Sequence, residues 1–248
     1  MSMDDFAAIL TTPMTHDTPA TEAAPETAPE TAAADIGAHD LATQLVAKLC
    51  HDFISPAGAI VSGLDLLEDP SAQDMKQEAL NLIAASSKKL ITLVHFARVA
   101  FGAATTSEAF SAKELHKILA DVFATMRAEL VFDIPDDVLF EKPAARALLN
   151  LGLITGNALP TGGKALLQMI KTDEGMTLTG EARGPRARLK PEAIEGLKGL
   201  SLTEGLSGQW IQPHWLYSVV HEAGGEITLG NDIDALFVTV TLPALAAV

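Results

Sequence analysis

The chain has 248 residues, 48% of them hydrophobic, and a formal net charge of −15. That length and content suffice to bury a sizeable core, and the acidic balance argues against nucleic acid as a partner, because phosphate binding calls for a basic surface. One cysteine, Cys50, excludes an intramolecular disulfide framework and fits a reducing compartment.

The opening segment MSMDDFAAILTTP carries acids where a secretory leader carries bases. No apolar run reaches the roughly 18 residues of a membrane span. The expectation is a cytoplasmic protein with no membrane partner. Residues 1–38 are rich in Ala, Thr, Pro and Glu, and no Lys or Arg precedes Lys48. Such a stretch lacks the large apolar groups needed to offset its ordering entropy, so a disordered acidic tail is expected there.

From Leu41 to Leu67 the pattern is helical: Val46, Leu49, Phe53, Ala57, Ile60, Leu64 and Leu67 recur at spacings of three and four. Pro70 marks a break. Ser71 is the expected cap of a second helix, with Asp74 completing an imperfect capping box. That helix carries Met75, Ala79, Leu82, Ile83, Leu90, Leu93, Val94 and Val99, and fades near Gly102. Residues 39–104 thus read as a helical hairpin. Two helices cannot bury the whole apolar stripe of such a hairpin; pairing with a second copy would make a four-helix bundle, and packing on the chain's own C-terminal half is the alternative.

Residues 105–248 mix strands and helices. Helices are expected at Ala112–Met126, Pro143–Leu159, Pro191–Leu197 and Pro213–Ala223, the last closed by Gly224 and Gly225. Strands are expected at Glu129–Ile134, at Lys164–Thr172 paired with Met176–Ala182, and at Glu226–Leu229 and Leu236–Leu242 around a turn at Gly230, Asn231 and Asp232. The fold class is a helical hairpin followed by an α+β sandwich, with helices on one face of a mixed sheet.

On the first helix, one residue stands away from the core stripe. At about 100° per residue, His51 falls roughly 160° from the centre of that stripe. Its neighbours on the outer face are Ala47, Lys48, Ser55, Gly58 and Ser62, most of them small, so another protein's backbone can approach closely. A plain solvated histidine is the competing explanation. Two departures from helix propensity within two turns argue against it. Gly58 costs up to about 1 kcal/mol relative to Ala, and Pro56 removes a backbone hydrogen bond. Local rule-breaking beside an exposed nucleophile marks a functional site. A neutral imidazole is nucleophilic, and Asp52 beside it can hold one ring nitrogen and fix the tautomer. Lys48, one turn earlier, reads as a surface lysine or as a neighbour of phosphoryl oxygens.

The run His51-Asp52-Phe53-Ile54-Ser55-Pro56 resembles the H-box of histidine kinases: His, an acid, three residues, then Pro. The longer run from Lys48 to Asp69 resembles more specifically the cell-cycle histidine phosphotransferases of alphaproteobacteria, and the resemblance extends from about Leu41 to the C-terminus. It implies a homodimer that carries a phosphoryl group on His51, with Asp52 beside it and a receiver domain docking on Ala47, Lys48, Phe53, Ser55, Gly58 and Ser62. It implies as donor the receiver domain of a hybrid histidine kinase. The implied acceptors are response regulators, among them a DNA-binding cell-cycle regulator and a proteolysis adaptor. No cofactor of its own is expected; Mg²⁺ belongs to the partner receiver.

The C-terminal half resembles a histidine kinase ATP-binding domain with eroded motifs. Of the two asparagines of the N-box, Asn157 remains and Leu153 replaces the other; Asn157 is expected as a buried or capping amide. In the stretch Ala182-Arg183-Gly184-Pro185-Arg186, Ala182 stands for the adenine-reading Asp and Arg186 for the second Gly. In Gly205-Leu206-Ser207-Gly208-Gln209-Trp210, a Trp occupies the glycine-rich lid, and Trp210 and Trp215 are expected as core or lid packing. His221-Glu222-Ala223-Gly224-Gly225 matches the helix-to-strand end of that domain. Loss of the carboxylate implies a domain without ATP binding. Arg183, Arg186, Arg188 and Lys190 form a basic cluster, either a contact for an acidic receiver or a solubilising loop. Kinase activity with an atypical ATP site and a non-enzymatic dimeric scaffold remain the alternatives. His214 and His221 are expected as helix-surface histidines, and no metal cluster is expected.

Overall fold

The computed structural model describes residues 36–102 and 109–244. The expected acidic tail, residues 1–38, lies outside the described residues except for its last three positions.

Helix α1 runs unbroken from Ala38 to Glu68, and α2 runs back from Lys76 to Ala100. A 3-10 segment, Pro70–Met75, joins them. The cap there is Asp69 rather than Ser71: its carboxylate accepts from the Ser71 amide at 2.8 Å and from the Ser71 hydroxyl at 2.7 Å. The two hydrogen bonds hold the Asp69 carboxyl below its ordinary range, the hydroxyl contributing most. Pro70 explains the displacement, since a proline lacking N–H suits the first position after a cap and shifts the helical start forward.

The α+β unit follows. A short antiparallel pair, β1 (Ala109–Ser111) and β3 (Leu139–Glu141), flanks α3 (Ala112–Phe123). These three-residue strands are too short to show an alternating pattern in sequence. Helix α3 opens on a full capping box between Ser111 and Glu114. The main sheet is built from β2 (Ala128–Asp133), β4 (Gly163–Thr172), β5 (Gly175–Arg183), β6 (Glu226–Asp232) and β7 (Ala235–Pro243). Its order is β2-β4-β5-β7-β6, with β2 and β4 parallel and every other pair antiparallel. Helices α4 (Lys142–Asn157) and α6 (Ser207–Glu222) pack on this sheet, and α5 (Pro191–Leu197) packs on α6. The core joins Leu148, Leu149 and Leu151 of α4 to Leu167, Leu178 and Val238 of the sheet, all fully buried or nearly so.

The expected fold class, a hairpin followed by an α+β sandwich with a mixed sheet, is the one observed. Two boundaries differ. The last strands pair as far as Asp232 and Ala235, so the turn is Ile233-Asp234, not Gly230–Asp232. Gly230 sits within the ladder opposite Phe237. Helix α6 starts at Ser207, six residues before Pro213, which lies inside it and is buried. Among the described residues, no helix is long and apolar enough to cross a membrane.

Two devices tie α6 to the hairpin. Leu45 of α1 packs with Trp210 and Ile211 in a small second core, flanked by Leu41, Leu202 and Trp215. The carbonyl of Ala100, at the end of α2, accepts from the Trp215 indole at 2.8 Å and from the Asn150 amide at 3.1 Å. Carbonyls in the last turn of a helix have no partner within it, so these donors satisfy a group that would otherwise need water.

Candidate functional site

Helix α1 presents three sides. Leu45, Pro56 and Gly63 face inward and are buried. Gly63 is needed there, because a Cβ would lie 2.6 Å from the Ile83 side chain of α2 and 3.2 Å from the Ala79 carbonyl. A second side, about 100° round, carries Val46, Ile54, Val61 and Leu64, all exposed. The third side, a further 100° or so round, carries His51 with Ala47, Ser55, Gly58 and Ser62, also exposed.

The His51 side chain is 87% exposed. Its Nδ1 lies 3.3 Å from Oδ1 of Asp52. The other carboxylate oxygen, Oδ2, accepts from Nζ of Lys48 at 2.7 Å, one helical turn back. In the tautomer with its proton on Nδ1, that N–H faces Asp52 and the Nε2 lone pair faces solvent. Gly58, two turns on from His51, has nothing within 4 Å of where a Cβ would stand. Nothing inside the chain requires a glycine there.

Of the residues expected at the site, Ala47, Lys48, Asp52, Ser55, Gly58 and Ser62 share or border the His51 side. Phe53 does not. Two residues along is about 200° of rotation, and Phe53 is half-buried toward the hairpin's inner side. The amphipathic count put Phe53 in the core stripe and the motif made it a partner contact; Phe53 follows the former, while Val46 and Leu64, counted in the same stripe, are exposed. Lys48 is not a plain surface lysine either, since its side chain is only 16% exposed.

Sequence reasoning missed the second wall of this site. The start of α6 lies beside His51, and a groove of about 440 Å³ runs between them. Gln44, Ala47, Lys48, His51 and Asp52 line one side, and Leu206, Ser207, Gly208, Gln209 and Ile211 the other. Gly208 also has open space at its missing Cβ. The two exposed glycines of otherwise helical segments therefore stand near the same histidine, the only signal in the sequence that could have joined them.

The region expected to be an eroded nucleotide site is filled or rebuilt. Ala182 is fully buried in β5, paired with Ala165 and Leu236, so an apolar seat replaces any carboxylate. Arg186 keeps a glycine's backbone, with φ of 64°; such a conformation is uncommon for a side chain of that size. Trp210 is buried, as expected of core packing; its indole donates to the Leu200 carbonyl at 2.9 Å and its ring stacks on His214 at 4.3 Å. His214 is thus an interior residue, contrary to the surface position expected for it, because the Trp210 ring and α5 pack over that face of α6. His221 is exposed. Asn157 is also exposed, not buried, and lines a cavity of about 320 Å³ with Lys48, Arg188 and Lys190. The buried amides are Asn150 and Gln212, hydrogen-bonded to each other at 3.2 Å.

The chain resembles known proteins. The family profile described as "Histidine phosphotransferase C-terminal domain" matches residues 112–234. The chain is 30% identical over 195 residues to the protein phosphotransferase ChpT of Brucella abortus (strain 2308), covering 78% of this chain and 91% of that one. A solved structure described as a bacterial phosphotransferase superposes with a TM-score of 0.73 at 27% identity, covering 83% of this chain and 97% of the other. The chain belongs to the family of histidine phosphotransferases that includes ChpT.

Proposed function

We propose that this chain is a cytoplasmic, dimeric phosphorelay carrier that takes a phosphoryl group onto Nε2 of His51 from one receiver domain and passes it to another. The observation that carries the reading is His51 itself: exposed, oriented by Asp52, and set on a face cleared of side chains at Gly58 and Gly208. In the forward step the Nε2 lone pair forms the N–P bond as the O–P bond to the receiver's aspartate breaks, and the carboxylate leaves with its electron pair. The imidazole gains a positive charge, its Nδ1 proton stays toward Asp52, and the reverse sequence releases the group. Such transfer needs in-line approach and charge neutralisation more than covalent chemistry from the carrier. A Mg²⁺ ion held by the receiver's own acidic pocket would supply the neutralisation.

The donor in this reading is the receiver domain of a hybrid histidine kinase. The acceptors are response regulators of a cell-cycle phosphorelay, including a DNA-binding regulator and a proteolysis adaptor. Ala47, Ser55, Gly58 and Ser62 form the docking surface around His51. ATP has no part in it, a reading supported by the apolar Ala182 and by the fixed packing of α6 against α1 and α2. The cytoplasmic setting is supported by the lone free thiol, exposed Cys50.

Incubating the protein in parallel with a phosphorylated receiver and with labelled Mg-ATP tests the relay. Label should reach wild-type protein from the receiver alone, and His51→Ala should abolish acceptance while leaving fold intact, since an exposed side chain contributes little to stability. Acceptance by His51→Ala at the wild-type rate would overturn the reading. The dimer is supported by the second side of α1 (Val46, Ile54, Val61 and Leu64) and by exposed Leu80, Ile91 and Val94 of α2, a stripe too apolar for solvent alone. Light scattering should give twice the 26.1 kDa chain mass at micromolar concentration.

A further inference from the structure

We infer that Lys48 is the positioning residue of the phosphoryl site: it acts through Asp52, holding that carboxylate in the arrangement that orients the His51 ring. The inference rests on the reading of His51 as the acceptor.

The geometry is a three-residue chain on one helix. Lys48 Nζ donates to Oδ2 of Asp52 at 2.7 Å, and Oδ1 of the same carboxylate meets Nδ1 of His51 at 3.3 Å. The first contact is short and charge-assisted; the second is at the long end of the hydrogen-bond range. Lys48 is also the most buried of the three side chains, at 16% exposed against 30% for Asp52 and 87% for His51. Most exposed i,i+4 ion pairs fluctuate and contribute little. This one is walled in, because Lys48 lines both the groove beside His51 and the neighbouring cavity beneath the start of α6.

An aspartate side chain beside a histidine has several rotamers, and only one points Oδ1 at Nδ1; an ammonium fixed on Oδ2 selects it. Across the groove, Leu206, Ser207, Gly208, Gln209 and Ile211 are all uncharged, so among the described residues that line it Lys48 and Asp52 are the charged neighbours of His51.

The test is phosphoryl acceptance from a phosphorylated receiver, measured across receiver concentration for Lys48→Met, Lys48→Arg, Asp52→Asn and the double variant Lys48→Met/Asp52→Asn. Lys48→Met should slow the transfer step by roughly ten-fold at pH 7, the scale seen when outer partners that orient a functional histidine are removed. Receiver affinity should stay unchanged. Lys48→Arg should recover most of the rate. The double variant should be no slower than Asp52→Asn, because a residue that acts through another adds nothing once that other is gone. Additive losses in the double variant, or a loss confined to receiver affinity, would overturn the inference and make Lys48 a direct partner contact. Wild-type behaviour of Lys48→Met with His51→Ala still inactive would sink the inference alone. Acceptance by His51→Ala would instead sink the relay reading beneath it.

Discussion

The outer side of α1 and the core between α4 and α6 treat polar groups in opposite ways. Around His51 the polar atoms are left to solvent, the neighbours are small, and a glycine stands where no contact requires one. Between α4 and α6 several polar groups are paired internally. Asn150 donates to Ala100 and Arg146 and accepts from Gln212; Thr155 donates to Leu151; Trp215 donates to Ala100. Buried polar groups must be paired within the fold, because an unpaired one costs about 1–3 kcal/mol. Exposed groups are under no such demand, and the surface around His51 is left open. The second region is a structural joint that seats α6 on the hairpin.

That contrast is sharpest in two glycines five residues apart on the same helix. Gly58→Trp should leave the fold in place, because the position is open, yet cut label transfer by more than about 100-fold, since a misplacement of 1 Å is enough for such a loss. Its signature is weakened receiver binding in a titration, whereas His51→Ala still binds. Gly63→Leu should do the reverse. A side chain there must displace Ile83, and chemical denaturation should report a loss of about 1–3 kcal/mol with the His51 surface unchanged. Equal effects of the two substitutions on transfer and stability would erase the distinction between the two sides of α1.

The joint itself is tested by Trp215→Phe, which keeps the ring and removes the donor to the Ala100 carbonyl. Asn150 still reaches that oxygen, so a loss of about 1 kcal/mol is expected, read as a shift of the denaturation midpoint. A loss far larger would mean that the indole ring's packing, rather than its N–H, seats α6 on the hairpin.

The smallest effect concerns acid. The amide of Ser111, and then its hydroxyl, hold the Glu114 carboxyl below its ordinary value. A carboxyl depressed in the folded state contributes stability that is present above its ordinary value, about pH 4.3, and is lost as pH falls through the lower folded value. Glu114→Gln should therefore flatten the stability profile slightly below about pH 4 and leave it unchanged at neutral pH. An unchanged acid limb would show that the capping box contributes nothing through charge.

Much of this molecule was legible in its sequence. The spacing of apolar residues places the hairpin, the central strands fall within a residue or two of their observed ends, and the position of His51 opposite the core stripe follows from helical periodicity alone. The replacement of a motif carboxylate by Ala182 is visible without coordinates. These features are local: periodicity, turns and motif residues depend on neighbours within a few positions. What only the tertiary structure decided depends on partners far away in the chain. Trp215 and Asn150 meet Ala100 across 115 and 50 positions. His214 is buried because the Trp210 ring and α5 pack over its face of α6. Asn157, the motif amide, is exposed, while Asn150 and Gln212 take the interior. Even Lys48 and Asp52, one turn apart and visible as a pair, became a walled ion pair only when α6 closed beside them. Burial is a property of the whole packed chain, and it is burial that turns a common helical spacing into a fixed arrangement of charge beside His51.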